Sequence, residues 1–550
     1  MSKEKSALQK ARAAYQPKLP KALKSGCIKI ELGAPTEPAT DKQEIKNLFP
    51  NTYGQPIATI VPGEGNLSTG ALKVGVVLSG GQAPGGHNVI AGLFDALKAA
   101  NKDSILYGFL KGPGGAIKGC YKELTAEIID EYRNTGGFDM IMSGRDKIEK
   151  PEHLAACNAN FEAMGLDGLV IIGGDDSNTN AAVLAEHLRA IGSKTVVAGV
   201  PKTIDGDMKN QYIEASFGFD TASKTYSELI GNICRDATSA VKYWHFVRLM
   251  GRAASHVTLE CALETHPNIT LVSEEIEKKG TTLEEIVDYI CDVICARADQ
   301  GKNYGILLVP EGLPEFISDI KAMIDELSTI LGKDEEYIRS LPDHSERLQH
   351  ISTQLSSQSA KVYGSLPEAI QEVLLTRDSH GNVPLSQVET ERLLIDLVSD
   401  KIRFRKAHGK DNVKFSALSH FFGYEGRCAT PSNFDADYTY SLGYAAAQLV
   451  RAGLTGYTAN VQNLTKSSDE WVAGGIPVTM MLNMEIRKGK STPVIKKALV
   501  DLDGAPFAGF ANNRKAWAIG DEYVFPGPIQ YFGPSEVCDI PTRTLELEKK

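Results

Sequence analysis

The sequence predicts an α/β protein in which parallel strands are covered by helices. Three observations carry this reading. Short apolar, β-branched runs recur from residue 72 to about 240 and resume over 241–312. Helical segments separate them, as in repeated βα units. Three of the runs also end in a glycine-rich or charged turn that opens a helix. Right-handed crossovers between such units give a parallel sheet with helices on both faces.

The elements follow in chain order. Residues 1–70 form an extension punctuated by Pro17, Pro20, Pro35, Pro38, Pro50, Pro56 and Pro62, so few long regular elements are expected there. Leu72-Lys73-Val74-Gly75-Val76-Val77-Leu78 reads as the first strand. It runs into Ser79-Gly80-Gly81-Gln82-Ala83-Pro84-Gly85-Gly86-His87-Asn88, followed by a helix from about Val89 to Ala100. Further strands are expected near 105–109, 138–142, 168–172 and 195–200. Asn268-Ile269-Thr270-Leu271-Val272 and the run from Asn303 to Val309 continue the pattern. From about Phe316 to Lys410 glycine is rare and a 3.6-residue period dominates. After about Phe434 a helix at 440–452 and a hairpin-like stretch near 469–481 are expected to rejoin the first domain.

The turns carry the chemistry. Gly173-Gly174-Asp175-Asp176-Ser177-Asn178-Thr179-Asn180 follows the apolar run 168–172. A glycine pair at a strand-to-helix turn brings backbone N–H groups to an anion. Two adjacent carboxylates repel a phosphate unless a divalent metal lies between, and Mg²⁺ takes carboxylate and phosphate oxygens together. Alone, this turn fits a plain helix start with Asp in its first turn equally well. The next strand ends in Pro201-Lys202-Thr203-Ile204-Asp205-Gly206-Asp207, which tips the balance, because ligands of open α/β sheets bind at the carboxyl ends of strands. The first turn is neither G-x-G-x-x-G nor G-x-x-x-x-G-K-[ST], which argues against a dinucleotide-binding dehydrogenase and a P-loop.

Bulk properties narrow the class. The chain has 550 residues, 42% hydrophobic and 23% charged, with net charge −10. That balance argues against nucleic acid and anionic membranes as partners. Its 9 cysteines are scattered without a C-x-x-C pair, as in a cytoplasmic protein with reduced thiols. No secretory h-region and no membrane-length apolar run is present.

These turns, with Met250-Gly251-Arg252, resemble the phosphofructokinase family, and most closely its diphosphate-dependent branch in the long form; the likeness runs from about Val74 to Gly533. The resemblance implies two Rossmann-like parallel-sheet domains, the phosphofructokinase fold, with a helical insertion at about 316–410 and the N-terminal extension. The donor domain would be 71–240 plus 434–550, and the fructose 6-phosphate domain 241–433. It implies reversible, Mg²⁺-dependent phosphoryl transfer from diphosphate to the 1-hydroxyl of fructose 6-phosphate. The products are fructose 1,6-bisphosphate and phosphate, in a step of glycolysis or gluconeogenesis.

The roles it implies follow motif by motif. Asp205 is the base and Asp175 the metal carboxylate. Asp207 helps with the metal or braces its loop. Gly81 admits the donor phosphates and Arg145 contacts them. Asp176 and Lys202 stand where ATP-using relatives typically have glycine. Asp176 would exclude a nucleotide by bulk and like charge, and Lys202 would stabilise charge developing on the leaving phosphate. Thr203, Ile204, Met250, Gly251, Arg252 and Glu311 would bind the sugar phosphate, with Tyr424-Glu425-Gly426-Arg427 supplying a bidentate arginine. Lys242 and Tyr243 match a pair lent to a neighbouring subunit, implying a homodimer. An ATP-dependent enzyme is disfavoured by Asp176 and Lys202. A non-catalytic regulatory subunit is disfavoured by the full catalytic set.

Overall fold

The computed structural model describes residues 5–65, 67–376, 383, 388–409, 413–487 and 490–549. The chain divides into two compact units. One comprises 1–222, 424–498 and 529–549, the other 223–423 and 499–528. The extension is therefore part of the first unit, and residues 499–528, expected in the donor domain, pack with the second.

The first unit is built on a nine-stranded sheet. Its order is Ile28–Pro35, Pro56–Pro62, Val472–Pro477, Tyr457–Gln462, Val196–Pro201, Gly168–Gly173, Lys73–Leu78, Ile105–Phe109, Tyr121–Glu123. The five strands from Tyr457–Gln462 to Ile105–Phe109 are parallel, and the pairings outside them are antiparallel. Fully buried parallel strands read as continuous apolar runs. Gly168–Gly173 and Val196–Pro201 are indeed buried at every position. Leu169, Ile171 and Val197 pack there with Phe161, Leu184 and Leu188 of two covering helices, each large side chain contributing roughly 1.5–3 kcal/mol. From Lys73–Leu78 the chain first adds Ile105–Phe109 on one side and later Gly168–Gly173 on the other. The order reverses there, and such a reversal opens a crevice at the strand ends.

Three local expectations are corrected. No strand forms at 138–142. Phe138, Met140 and Ile141 are buried, but both sides of Ile105–Phe109 are already taken, by Lys73–Leu78 and Tyr121–Glu123. Gly144 makes only an isolated bridge to Ser79. The hairpin expected near 469–481 is instead Tyr457–Gln462 paired with Val472–Pro477. A second hairpin, Leu482–Arg487 with Lys490–Ile495, follows it. The returning helix runs over Asn433–Arg451, beginning earlier than 440 behind the Ser432 cap.

The extension is fastened to this unit. Arg12 is buried and donates to Asn433 Oδ1 at 2.6 Å and to the Pro431 carbonyl at 2.7 Å. Its guanidinium lies over the rings of Tyr15 and Tyr531, 4.6 and 4.5 Å from their centroids. Charge-assisted bonds and cation–π contacts of this kind total roughly 2–3 kcal/mol. Arg12→Ala is expected to lower the melting temperature by several degrees with kcat unchanged. An unaltered melting curve would show that the segment is not fastened in solution.

The second unit holds a four-stranded parallel sheet, Ala417–Phe422, Tyr243–Leu249, Tyr304–Pro310, Ile269–Thr270. The region with 3.6-residue patterning forms helices Ser318–Ser340, His344–Gln354, Ser357–Ser365, Glu368–Leu374 and Thr390–Ala407. Residues 377–382, 384–387 and 410 of the expected insertion lie outside the described residues. Ile320, Met323, Leu327, Leu394 and Val398 join Trp244, Phe246 and Leu307 in one core.

Candidate active site

In the first unit, the ends of three adjacent parallel strands bring the predicted turns together. Asn178, fully buried, ties them. Its Nδ2 donates to the carbonyls of Gly173, Gly174 and Val200 at 2.7, 3.0 and 3.4 Å. Ser177 Oγ donates to Ser79 Oγ at 2.8 Å, linking the second turn to the first. Asn178 and Ser177 had no role in the sequence reading. A polar side chain three or four residues into a helix is the signal for such a brace.

Lys202 crosses between the turns. It is 6% exposed and its Nζ donates to the Gly81 carbonyl at 2.6 Å. Burial drives its pKa down to about 8. The positive charges of Arg427 and Arg145 push the same way, against Asp205 and Asp175. Gly80 adopts φ 81°, where glycine is favoured. At Gly81 a Cβ would lie 1.9 Å from Arg427 Nη1, so the glycine seats the guanidinium as well as leaving the backbone open.

Three carboxylates share the crevice. Asp205 Oδ1 is buried and accepts no hydrogen bond. The Arg427 Nη2 is 4.0 Å from it, and the Asp205 N–H is held by Thr203 Oγ1 at 3.0 Å. Burial raises the Asp207 carboxyl to about 6, helped by Asp205 and Asp175 and opposed by Lys497. Lys497 Nζ lies 3.6 Å from both Asp175 Oδ2 and Asp207 Oδ2. The sequence reading missed Lys497, which sits in a short charged stretch outside any strand-to-helix turn. Asp176 is exposed in the first turn of the Asp175–Ala190 helix, bordering a cavity of about 280 Å³ with Phe49, Thr179 and Val494. Arg145 is exposed, yet its charge reaches Lys202. Ile204 is buried, so only its backbone can meet a ligand. Tyr424 is 68% exposed, in a one-turn helix with Glu425, Gly426 and Arg427.

These acids fit a divalent metal carried by a phosphate ligand. Among the described residues no three metal-type side chains gather into a ready-made site, so protein ligands alone do not enclose an ion. One or two carboxylates with the remaining positions left to water and phosphate is the usual Mg²⁺ arrangement. The orphaned Asp205 oxygen and the elevated Asp207 both mark excess negative charge that a cation would offset.

The second unit gathers another predicted set. Met250-Gly251-Arg252 leaves the carboxyl end of Tyr243–Leu249, and Glu311 that of Tyr304–Pro310. Parallel pairing of Pro310 with Leu249 brings them side by side. The Gly251 N–H donates to Glu311 Oε2 at 3.3 Å, and Arg252 Nε is 3.9 Å from Glu315 Oε1. Tyr243 begins that same strand and Lys242 directly precedes it, so at ~3.3 Å per residue Tyr243 sits ~23 Å from Met250. Val241 and Tyr243 both have positive φ, 53° and 72°. Such backbone persists only where the surroundings impose it and concentrates at functional positions.

Residues 73–450 match the family described as Phosphofructokinase. The chain is 54% identical to a pyrophosphate–fructose 6-phosphate 1-phosphotransferase from Porphyromonas gingivalis, covering 99% of both chains. It is 51% identical to one from Treponema pallidum, covering 99% of this chain and 97% of that protein. It is 50% identical to the beta subunit of the same enzyme from Solanum tuberosum, over 99% and 94%. Among solved structures it is similar to pyrophosphate-dependent phosphofructokinases from Nitrosospira multiformis and Marinobacter aquaeolei. Their TM-scores are 0.54 and 0.53 at 14% identity, covering 86% and 82% of this chain and 97% and 93% of theirs. No described helix is long and apolar enough to cross a membrane.

Proposed function

The chain belongs to the phosphofructokinase family, and we propose that it transfers a phosphoryl group reversibly from diphosphate to the 1-hydroxyl of fructose 6-phosphate. Enzymes of this family use a divalent metal; Mg²⁺ is the ion proposed here, held by Asp175 and the diphosphate. The observation that carries the reading is the buried Lys202, drawn across to the Gly81 carbonyl at 2.6 Å in a crevice of three carboxylates. A buried ammonium beside carboxylates that await a cation suits a small, highly charged donor.

Asp205 takes the proton of the sugar 1-hydroxyl. That oxygen bonds to the nearer phosphorus, the bridging P–O bond breaks, and phosphate leaves with the electron pair. Such a transfer asks mainly for alignment and charge stabilisation. The bound metal supplies charge neutralisation on the diphosphate. Lys202 stabilises the charge left on the departing phosphate, and Asp176 opposes a nucleotide by its negative charge. Arg427 binds the sugar's 6-phosphate, while Met250, Gly251, Arg252 and Glu311 orient the sugar. The strand-length separation of Lys242 and Tyr243 from Met250 supports their being lent to a neighbouring copy in a homodimer.

The deciding assay supplies fructose 6-phosphate and Mg²⁺ with diphosphate or ATP. Turnover with diphosphate alone is expected, and turnover with ATP instead would overturn the donor assignment. Arg427→Ala is expected to raise KM for fructose 6-phosphate by ~10–100-fold, the loss of a charge-assisted pair. An unchanged KM would remove Arg427 from the acceptor site.

A further inference from the structure

Lys497 has no place in the reaction just described, yet the fold delivers it with some precision. It follows the Leu482–Arg487 and Lys490–Ile495 hairpin. The residue before it is pinned by the Lys496 N–H to the Met481 carbonyl at 3.1 Å, and the residue after it by the Ala498 N–H to the Asp207 carbonyl at 2.7 Å. Between these two backbone bonds the Lys497 side chain reaches the carboxylates of Asp175 and Asp207, 3.6 Å from each. Asp207 is almost covered, with 10% of its side chain exposed, whereas Lys497 keeps 39%. Asp207 is the more enclosed of the two acids, and the ammonium approaches them from the open side on a four-carbon stem.

We propose that Lys497 is a positioning residue that occupies the Asp175–Asp207 pair in the empty enzyme and so keeps a bare divalent cation out until diphosphate arrives. The proposal rests on Asp175 being the metal carboxylate. Two neighbouring carboxylates without a cation repel each other, and the single charge of Lys497 offsets part of that repulsion. A metal entering alone has to displace the ammonium from both carboxylates and then sits as a dication beside that positive charge. A metal entering with diphosphate brings anionic oxygens that give Lys497 a new partner and fill the coordination positions that two carboxylates leave open. Metal and diphosphate therefore bind as a unit.

The test measures Mn²⁺ alone binding to the substrate-free full-length protein, by the electron paramagnetic resonance of free Mn²⁺ at low ionic strength. Lys497→Met and Lys497→Gln are expected to bind Mn²⁺ about tenfold more tightly than the wild type. That is the scale of a partly exposed, screened charge. Lys497→Arg, which keeps the charge, is expected to match the wild type. The gain should vanish when Asp175→Asn is added to Lys497→Met. Equal Mn²⁺ affinity across the wild type and the Met and Gln variants would overturn the proposal, as would a gain that survives Asp175→Asn. No turnover is read in this experiment. A wild type inactive with diphosphate would therefore sink the proposed reaction, while the Mn²⁺ titration would judge Lys497 on its own.

Discussion

Replacing Asp205 with serine is expected to lower kcat by ~10²–10⁴-fold while leaving KM for diphosphate and for fructose 6-phosphate within a few-fold, the usual contribution of a general base. The structural ground is a cost that nothing local repays. A buried carboxylate oxygen without a hydrogen bond is destabilising, and Asp205 Oδ1 is one. The oxygen stays available because the Asp205 N–H, donating to the Thr203 hydroxyl, fixes the loop and Arg427 stands off at 4.0 Å. A substrate hydroxyl would satisfy that oxygen. Serine removes the charge without adding bulk. Asp205 also helps keep Lys202 protonated, so the comparison belongs at pH 6.5, where the ammonium persists in both proteins. A loss below tenfold there would strip Asp205 of the role of base.

Lys202→Met is expected to cost ~10²–10³-fold in kcat in both directions, the scale for removing one preorganised donor at a developing negative charge. The same residue sets a pH limit. Burial and neighbouring cations bring its pKa down to about 8, and the role proposed for Lys202 requires the protonated form. The kcat/KM for diphosphate, which reports the free enzyme, should therefore fall as pH rises through about 8. The limb in kcat should lie higher, because bound diphosphate favours the ammonium. Stability runs the other way. A lysine whose folded pKa is depressed gives up its proton first in the folded state, so its burial penalty is relieved as pH climbs from about 8 towards the ordinary 10.5. A flat kcat/KM profile between pH 7 and 9, or full activity in Lys202→Met, would contradict the role given to this residue.

Most of the crevice was legible because its residues belong to strand-to-helix turns, where an apolar run, a glycine and a charged residue stand in sequence. The three turns of the first unit follow from that local grammar, whereas Met250–Arg252 and Glu311 were reached through the family resemblance and only the parallel register of their strands sets them side by side. What escaped it has physical reasons. Tyr243–Leu249 carries His245 and Arg248, and Ala417–Phe422 carries His420. These side chains interrupt an apolar run, and they are tolerated because they are paired inside. His245 Nδ1 meets His420 Nε2 at 2.9 Å, and Arg248 meets Glu391 at 2.8 Å. The prolines of the extension hid two strands, since Pro56 and Pro62 bound one of them and Pro35 ends the other. Pro is compatible with strand ends and with strands near a sheet edge. The run at 138–142 looked like a strand because it is apolar, but burial alone does not supply a free sheet edge. Lys497 was invisible because only the hairpin before it decides where its side chain arrives.

The order of strands in the large sheet also sets a timetable for synthesis. Tyr457–Gln462 and Val472–Pro477 stand between Val196–Pro201 and Pro56–Pro62. The first two strands to leave the ribosome therefore have no neighbour but each other until the chain has been made past Pro477. Strand pairs that wait on such distant partners are slow to settle and prone to pair wrongly meanwhile. The nascent chain carries the Pro201–Asp207 loop on a strand whose outer edge stays bare while residues 223–423 of the second unit are made. The crevice is finished only near the end, and a chain cut short before Tyr457 would display an unpaired sheet edge directly beside Asp205.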